Sequence, residues 1–346
     1  MTIEDEAEYE DRLAKRTRER DLLARQLYEV KHKHADYLSA VTEAVADSIG
    51  RINLAPVEPT AFVDSRLYST GQGRPEHAIA LLSDLQTGKL TPDYNSDVAR
   101  ERVMRYAEQI AELVKVQRAH HPVDEITVCM LGDMIEGVDI FPGQQWLIDS
   151  TLYDQLFNTT PAILADFLRY LLAHFERVHV LAVDGNHGRI GRKGQYGPMD
   201  NADRMLYRIV AMLMRDEPRL DLRMTDPQGE RNWYMVGEWG NYRALLIHGD
   251  QIRGSNGFPW YGLGKKVNGW ASGGIPEPFD DVFMGHYHQL GRMPLNHRSV
   301  WANGSTESTN TFAAETLAAQ SEPSQWLLFC DPDAGHITAS YGVGLR

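Results

Sequence analysis

The chain has little cysteine, no long apolar run and no excess of positive charge, and each shortage removes a class of protein. Only Cys129 and Cys330 occur in 346 residues, each inside an apolar stretch ("ITVCML", "WLLFC"). Two such thiols fit a reduced, cytoplasmic interior better than a disulfide framework. No apolar run approaches the roughly 20 residues that span a bilayer, and the acidic start "MTIEDEAEYEDR" has no signal-peptide core. A membrane role is therefore not expected. The formal net charge of −13 argues against a surface coated for nucleic acid, although a local basic groove remains compatible with it. Carboxylates that hold divalent ions would also inflate that figure, because the ions are not counted.

At this length there is room for a large domain plus an appendage. Residues 4 to 49 contain no glycine or proline. They are rich in helix formers, which predicts a long N-terminal helix. Leu23, Leu27, Val30, His34, Tyr37 and Val41 alternate spacings of four and three, the seam of a short coiled coil through which residues 1 to 50 would self-associate. A helix folded back on its own domain accounts for the pattern equally well. Residues 51 to 76 read as an irregular connector, and residues 77 to 346 as the main domain.

In that domain strands and helices alternate at first: "AIALLSD", a helix at 97 to 119, "EITVCMLGD", a helix at 160 to 175, "VHVLAVDGN" and a helix near 200 to 215. Strands then dominate: "NWYMVGEW", "YRALLIHGD", "DDVFMGH", "SVWANGS", "QWLLFCD" and "GHITASYG". The order predicts an α/β (α+β) architecture of two sheets packed face to face with helices outside.

Several strands end in residues that bind metals. The endings are Asp84-Leu85-Gln86, Gly132-Asp133-Met134-Ile135-Glu136, Gly185-Asn186-His187, His248-Gly249-Asp250 and Gly285-His286-Tyr287-His288. Side chains offered at strand ends converge on one sheet edge. Any one of these endings is most often a plain turn, but five in succession after apolar runs are a strong signal. His286 and His288, two apart in an extended segment, point to the same side and suit one ion or two neighbouring ions.

The series resembles that of the calcineurin-like metallophosphoesterases, which runs D-x-H, G-D-x-x-D/E, G-N-H, H and G-H-x-H. It covers roughly residues 77 to 306, with "NGS" at 303 to 305 similar to the family's closing turn. The resemblance implies a four-layer β-sandwich flanked by helices. It also implies two divalent ions, expected to be Mn2+, with Mg2+ or another divalent ion as the alternative. Asp84, Gln86, Asp133 and His288 would hold the first ion. Asp133, Asn186, His248 and His286 would hold the second, and the pair would bind a shared hydroxide that attacks phosphorus. His187 would contact the phosphoryl group and protonate the leaving oxygen. The departure is Gln86, where the family has histidine; its amide oxygen is a neutral, weaker ligand.

"GDMIEGVD" and "GNHGRIG" lack the arginine and glutamate of the protein-phosphatase pattern. Two stretches run against the acidic background instead. One carries Arg189, Arg192 and Lys193; the other carries Lys265 and Lys266 with Trp260, Tyr261 and Trp270 interleaved. Cations for phosphates and aromatics for bases suit single-stranded nucleic acid. The expectation is a phosphodiesterase acting as a nuclease, resembling the DNA-repair exonuclease branch. A small-nucleotide phosphodiesterase and a non-catalytic binding protein of the same fold are the rivals.

Overall fold

The computed structural model describes residues 73–191, 196–197, 200–225, 233–253, 258–307 and 322–346, together with 15–23, 25, 43, 47, 49, 52 and 54–59. It divides into two units, Met1–Arg51 and Ile52–Arg346. In the first, residues 15–23 are helical and exposed. Of the expected coiled-coil seam only Leu23 falls among the described residues. Within the second unit, residues near Val57 are tied down: its N–H donates to Glu217 Oε2 at 2.8 Å, and Arg219 donates to its carbonyl at 2.8 Å.

The second unit is built on two mixed sheets. The first contains β1 (His77–Leu82), β2 (Glu125–Met130), β3 (Arg177–Ala182) and β4 (Leu220–Met224), all parallel. Two antiparallel strands, β10 (Ser324–Asp331) and β11 (His336–Gly344), extend it past β1 to give the order β11-β10-β1-β2-β3-β4. The second sheet has the order β5-β6-β7-β9-β8: β5 (Tyr234–Trp239), β6 (Tyr242–Ile247), β7 (Asp281–Met284), β8 (Gly291–Leu295) and β9 (Arg298–Ala302). Strands β6, β7 and β9 run parallel.

The two sheets bury one face against each other. Ile79, Leu81, Cys129, Leu131, Leu181, Val183, Leu328 and Cys330 meet Trp239, Tyr242, Leu246, Phe283 and Trp301 across the interface. These residues are spaced by two along each strand, as one face of a pleated sheet requires. The intervening residues, such as Ala80, Val128 and Val180, are buried as well. That is why these strands read as continuous apolar runs. The remaining layers are helical: α1 (Ser96–Arg118), α2 (Thr160–Leu172) and α3 (Ala202–Leu213) beside the first sheet, and α4 (Trp260–Gly269) over the second. On α4, Leu263 and Val267 pack with Leu245, Ile247, Val282 and Val300. Asn95 caps α1 by accepting from Val98 N–H at 2.9 Å.

The fold is thus the expected pair of sheets flanked by helices. Two strands escape the sequence reading. Both β4 and β8 lie at sheet edges. Strand β4 carries Asp221 and Arg223, and β8 contains Pro294. Charges and proline are tolerated at edges and disguise a strand there. The basic, aromatic stretch contains α4, just past which Trp270 is buried, while Trp260 and Tyr261 at its start are exposed. Cys129 and Cys330 are both buried and unpaired with one another. Among the described residues no helix is long and apolar enough to cross a membrane.

Candidate active site

The carboxyl ends of the parallel strands in both sheets open on one place. Asp84 follows β1, Asp133 follows β2 and Asn186 follows β3; His248 follows β6, and His286 and His288 follow β7. At these ends the chain turns sharply through the left-handed region. Asp84 (φ 54°), Gln86 (45°), Asp133 (55°), His286 (74°) and His288 (54°) are five of the six non-glycine residues with positive φ among those described. Such backbone costs of order 1–3 kcal/mol per residue and persists only where its surroundings enforce it.

Hydrogen bonds supply that enforcement. Asp203, on the first turn of α3, accepts from Asp133 N–H (2.8 Å), Met134 N–H (3.1 Å) and Gly185 N–H (2.9 Å). It therefore positions two of the motif turns at once. Burial and the neighbouring Asp133 push its carboxyl up to about 7, against the pull of those donors. Asp84 accepts from His286 N–H at 3.0–3.1 Å, joining the two sheets. Asn303 of the "NGS" turn donates to Ser83 Oγ at 3.0 Å and receives a bond from Trp326 N–H at 2.9 Å.

One group of acceptor atoms meets closely. His248 Nε2 lies 3.0 Å from Asp133 Oδ2, 3.0 Å from Asn186 Oδ1 and 3.2 Å from His286 Nδ1. The other nitrogen of His248 donates to Leu131 O at 2.7 Å, which turns the Nε2 lone pair toward the cluster. Among the described residues, Asp133, His248 and His286 form the one histidine, cysteine and carboxylate group able to close on an ion, with their ligand atoms within 4.8 Å of one another. The charge pattern agrees. Burial opposes a charge on His248, yet Asp133 beside it raises the imidazole to about 10. Burial and the His248 charge lower His286 to about 4. Two imidazoles, a carboxylate and an amide oxygen crowded together are a donor set suited to a divalent cation, which would displace the proton that His248 otherwise shares with Asp133.

Gly185 is what allows Asp133 to lie there. A β-carbon on Gly185 would stand 2.1 Å from Asp133 Oδ1 and 2.2 Å from its backbone nitrogen. Gly185→Ala should cost about 1–3 kcal/mol of stability through overpacking. It should also weaken metal binding at least tenfold by displacing the carboxylate. Thermal melts and metal titration of the variant check both.

The second group, Asp84, Gln86 and His288, is arranged differently. His288 Nε2 lies 3.3 Å from Asp84 Oδ1, and His288 Nδ1 lies 2.6 Å from Glu307 Oε1. Glu307 also pairs with the buried Lys89. Lys89 Nζ donates to Gln86 Oε1 at 2.8 Å. The amide oxygen expected to face an ion is therefore engaged elsewhere, and Gln86 Nε2 faces His288 Nε2 (3.3 Å) and His187 Nε2 (3.5 Å).

His187 sits between the two groups. Its N–H donates to Asp133 Oδ1 at 2.7 Å, and its Nδ1 meets Glu136 O at 2.8 Å and Glu136 Oε2 at 3.3 Å. Nε2 is left facing the site. Burial disfavours the imidazolium, but Asp133 and Glu136 outweigh it and raise the group to about 9. Glu136 is itself fixed by Gln144 Nε2 at 2.9 Å.

The expected substrate residues are less uniform. Arg189 forms an ion pair with Asp250, so its charge is balanced inside the protein. Arg192 and Lys193 lie outside the described residues. Lys265 and Lys266 are exposed on α4. Trp260 (56% exposed) and Tyr261 (86%) stand at its start. A chain of rings leads from them to the ligand set: Trp260 to Phe258 (4.6 Å), Phe258 to Tyr287 (5.5 Å) and Tyr287 to His286 (5.0 Å).

Sequence reasoning passes over Lys89, Glu307 and Asp203. Glu136 was visible as the last letter of the G-D-x-x-D/E motif, but nothing in that motif states its contact with His187.

No protein-family model and no curated protein matches the chain. Among solved structures, Vps29 from Entamoeba histolytica complexed with Zn2+ is 14% identical, with 78% of this chain and 99% of that one covered at a TM-score of 0.36. An archaeal phosphodiesterase is 11% identical over 77% and 99%, with a TM-score of 0.35. A Streptococcus pneumoniae protein described as a predicted phosphoesterase is 14% identical over 78% and 98%, with a TM-score of 0.32. Likeness at this level fixes neither activity nor ligand, and both rest on the residues above. The resemblance to the calcineurin-like metallophosphoesterases extends from the motif residues to the two-sheet fold that gathers them.

Proposed function

We propose that the protein is a metal-dependent phosphodiesterase that cleaves single-stranded nucleic acid. The observation that carries the hydrolytic reading is the meeting of the Asp133, Asn186, His248 and His286 ligand atoms beside His187, whose Nε2 faces the site. A divalent ion held by those four residues would supply Lewis-acid activation of water and of the phosphoryl group. The residues do the rest. Asp133 holds the backbone of His187, and the Glu136 carboxylate beside Nδ1 favours the protonated imidazole. Glu136 accepts a hydrogen bond from Nδ1–H, so the Nε2 proton is the one presented to a leaving oxygen.

The ring chain from His286 to Trp260, with Tyr261 beyond it, supports a polymeric substrate, because it offers bases a stacking path away from the scissile phosphate. The pairing of Arg189 with Asp250 favours the second reading, a small nucleotide, since it removes one cation from any backbone-tracking groove. The test uses purified protein with Mn2+ against labelled single- and double-stranded DNA, RNA, and cyclic and linear nucleotides. Chelator-sensitive cleavage of single strands is expected. Turnover confined to mononucleotides would select the second reading. An ion-loaded protein inert on every phosphodiester would refute both.

A further inference from the structure

The position that the family resemblance assigns to a first ion does not carry the donors it needs, and the reason is Lys89. A primary amide has one acceptor end and one donor end. Lys89, whose ammonium has only protons to offer, takes the acceptor end of Gln86 at 2.8 Å. Turning the amide over would set NH2 against NH3+ at 2.8 Å, which favours the orientation with the oxygen on Lys89.

Neither partner is free to move. Gln86 is 2% exposed, in left-handed backbone, with its N–H donating to Asp133 O at 2.9 Å. Lys89 N–H donates to Gln86 O at 3.0 Å, and its ammonium is anchored a second time on buried Glu307. The N–H end of Gln86 consequently faces the space bordered by His187 and His288. There it would oppose a cation, while Lys89 cancels the negative charge that Glu307 would otherwise lend through His288.

We propose that this chain works with one divalent ion, at Asp133, Asn186, His248 and His286. In place of a first ion, the Gln86 N–H donates to a non-bridging phosphoryl oxygen, with Lys89 as the residue that positions it. The inference rests on the hydrolytic reading above for the role of the amide, but not for the count of ions. A neutral donor aimed at developing oxyanion charge is a recognised substitute for an electrophile, worth about 10²–10³-fold in turnover.

The experiment counts ions first. Wild-type protein equilibrated with micromolar Mn2+ should hold one ion per chain by elemental analysis and show a mononuclear Mn2+ signal by electron paramagnetic resonance. The double variant Gln86→His, Lys89→Met should hold two and show a spin-coupled pair. Gln86→Ala should keep one ion and lose about 10²–10³-fold in turnover. Two ions in wild type, or one lost from wild type on Gln86→Ala, would overturn the proposal. So would a folded double variant that still holds one. One ion without hydrolysis would leave the ion count standing and remove the proposed activity. Two ions with hydrolysis would do the reverse.

Discussion

Asp133→Asn should abolish most hydrolysis and weaken ion binding by more than the roughly 10–100-fold that loss of an outer-shell partner produces. Oδ1 of Asp133 accepts from His187 N–H, so an asparagine would keep its carbonyl oxygen there. Its NH2 would then point at His248 Nε2, now 3.0 Å from Oδ2, and would occupy with protons the lone pair meant for the ion. The charge that raises His187 and His248 would vanish as well, although burial is the stronger influence on each and acts the other way. Both imidazoles would therefore become neutral at lower pH. Calorimetric Mn2+ titration and turnover on a nitrophenyl phosphodiester measure the effect, with circular dichroism to confirm folding. Near wild-type binding and turnover would show that Asp133 is not the carboxylate on which the site depends.

The second large effect is expected from His187→Ala, with metal binding retained. A lost general acid costs about 10²–10⁴-fold, and the loss should shrink on substrates whose leaving group needs no proton. The pH dependence carries its own signature. His187 is raised to about 9, so it is charged at neutral pH and stops serving as an acid as pH climbs through that value. An ion on Asp133 would withdraw part of the field responsible and bring the descending limb lower. Wild-type turnover on alkyl leaving groups should therefore fall on the alkaline side, and the alanine variant should lack that limb. Equal losses on good and poor leaving groups, or an unchanged profile, would remove the acid role.

Much of this site is legible in the chain because its residues sit where an apolar run meets glycine. Gly132-Asp133, Gly185-Asn186 and Gly285-His286 announce both a strand end and a tight approach, and short-range chemistry suffices to read them. The contacts that change the chemistry are of another kind. Lys89 is only three residues from Gln86, but its second anchor, Glu307, comes from 218 positions further on (307 less 89). Asp203 looks like an ordinary acidic residue in the first turn of a helix, where it suits the dipole. Its bonds to Asp133 and Gly185 follow only once three strands lie side by side. Arg189 shows the converse: expected as a cation for substrate, it forms an ion pair with Asp250. Net charge along a segment records which charges exist, and says nothing about which of them are already answered.

The ligands also divide by sheet in a way that bears on mechanics. Asp133 and Asn186 hang from the first sheet, His248 and His286 from the second, and between the sheets lies mainly apolar contact, which resists separation better than sliding. An ion gripping all four would act as a rivet driven through two plates at one margin. Stripping it should leave both sheets intact and joined at that margin only by bonds such as His286 N–H to Asp84 and Asn303 to Ser83. Backbone exchange would then quicken first at the motif turns, while the strand centres stayed protected.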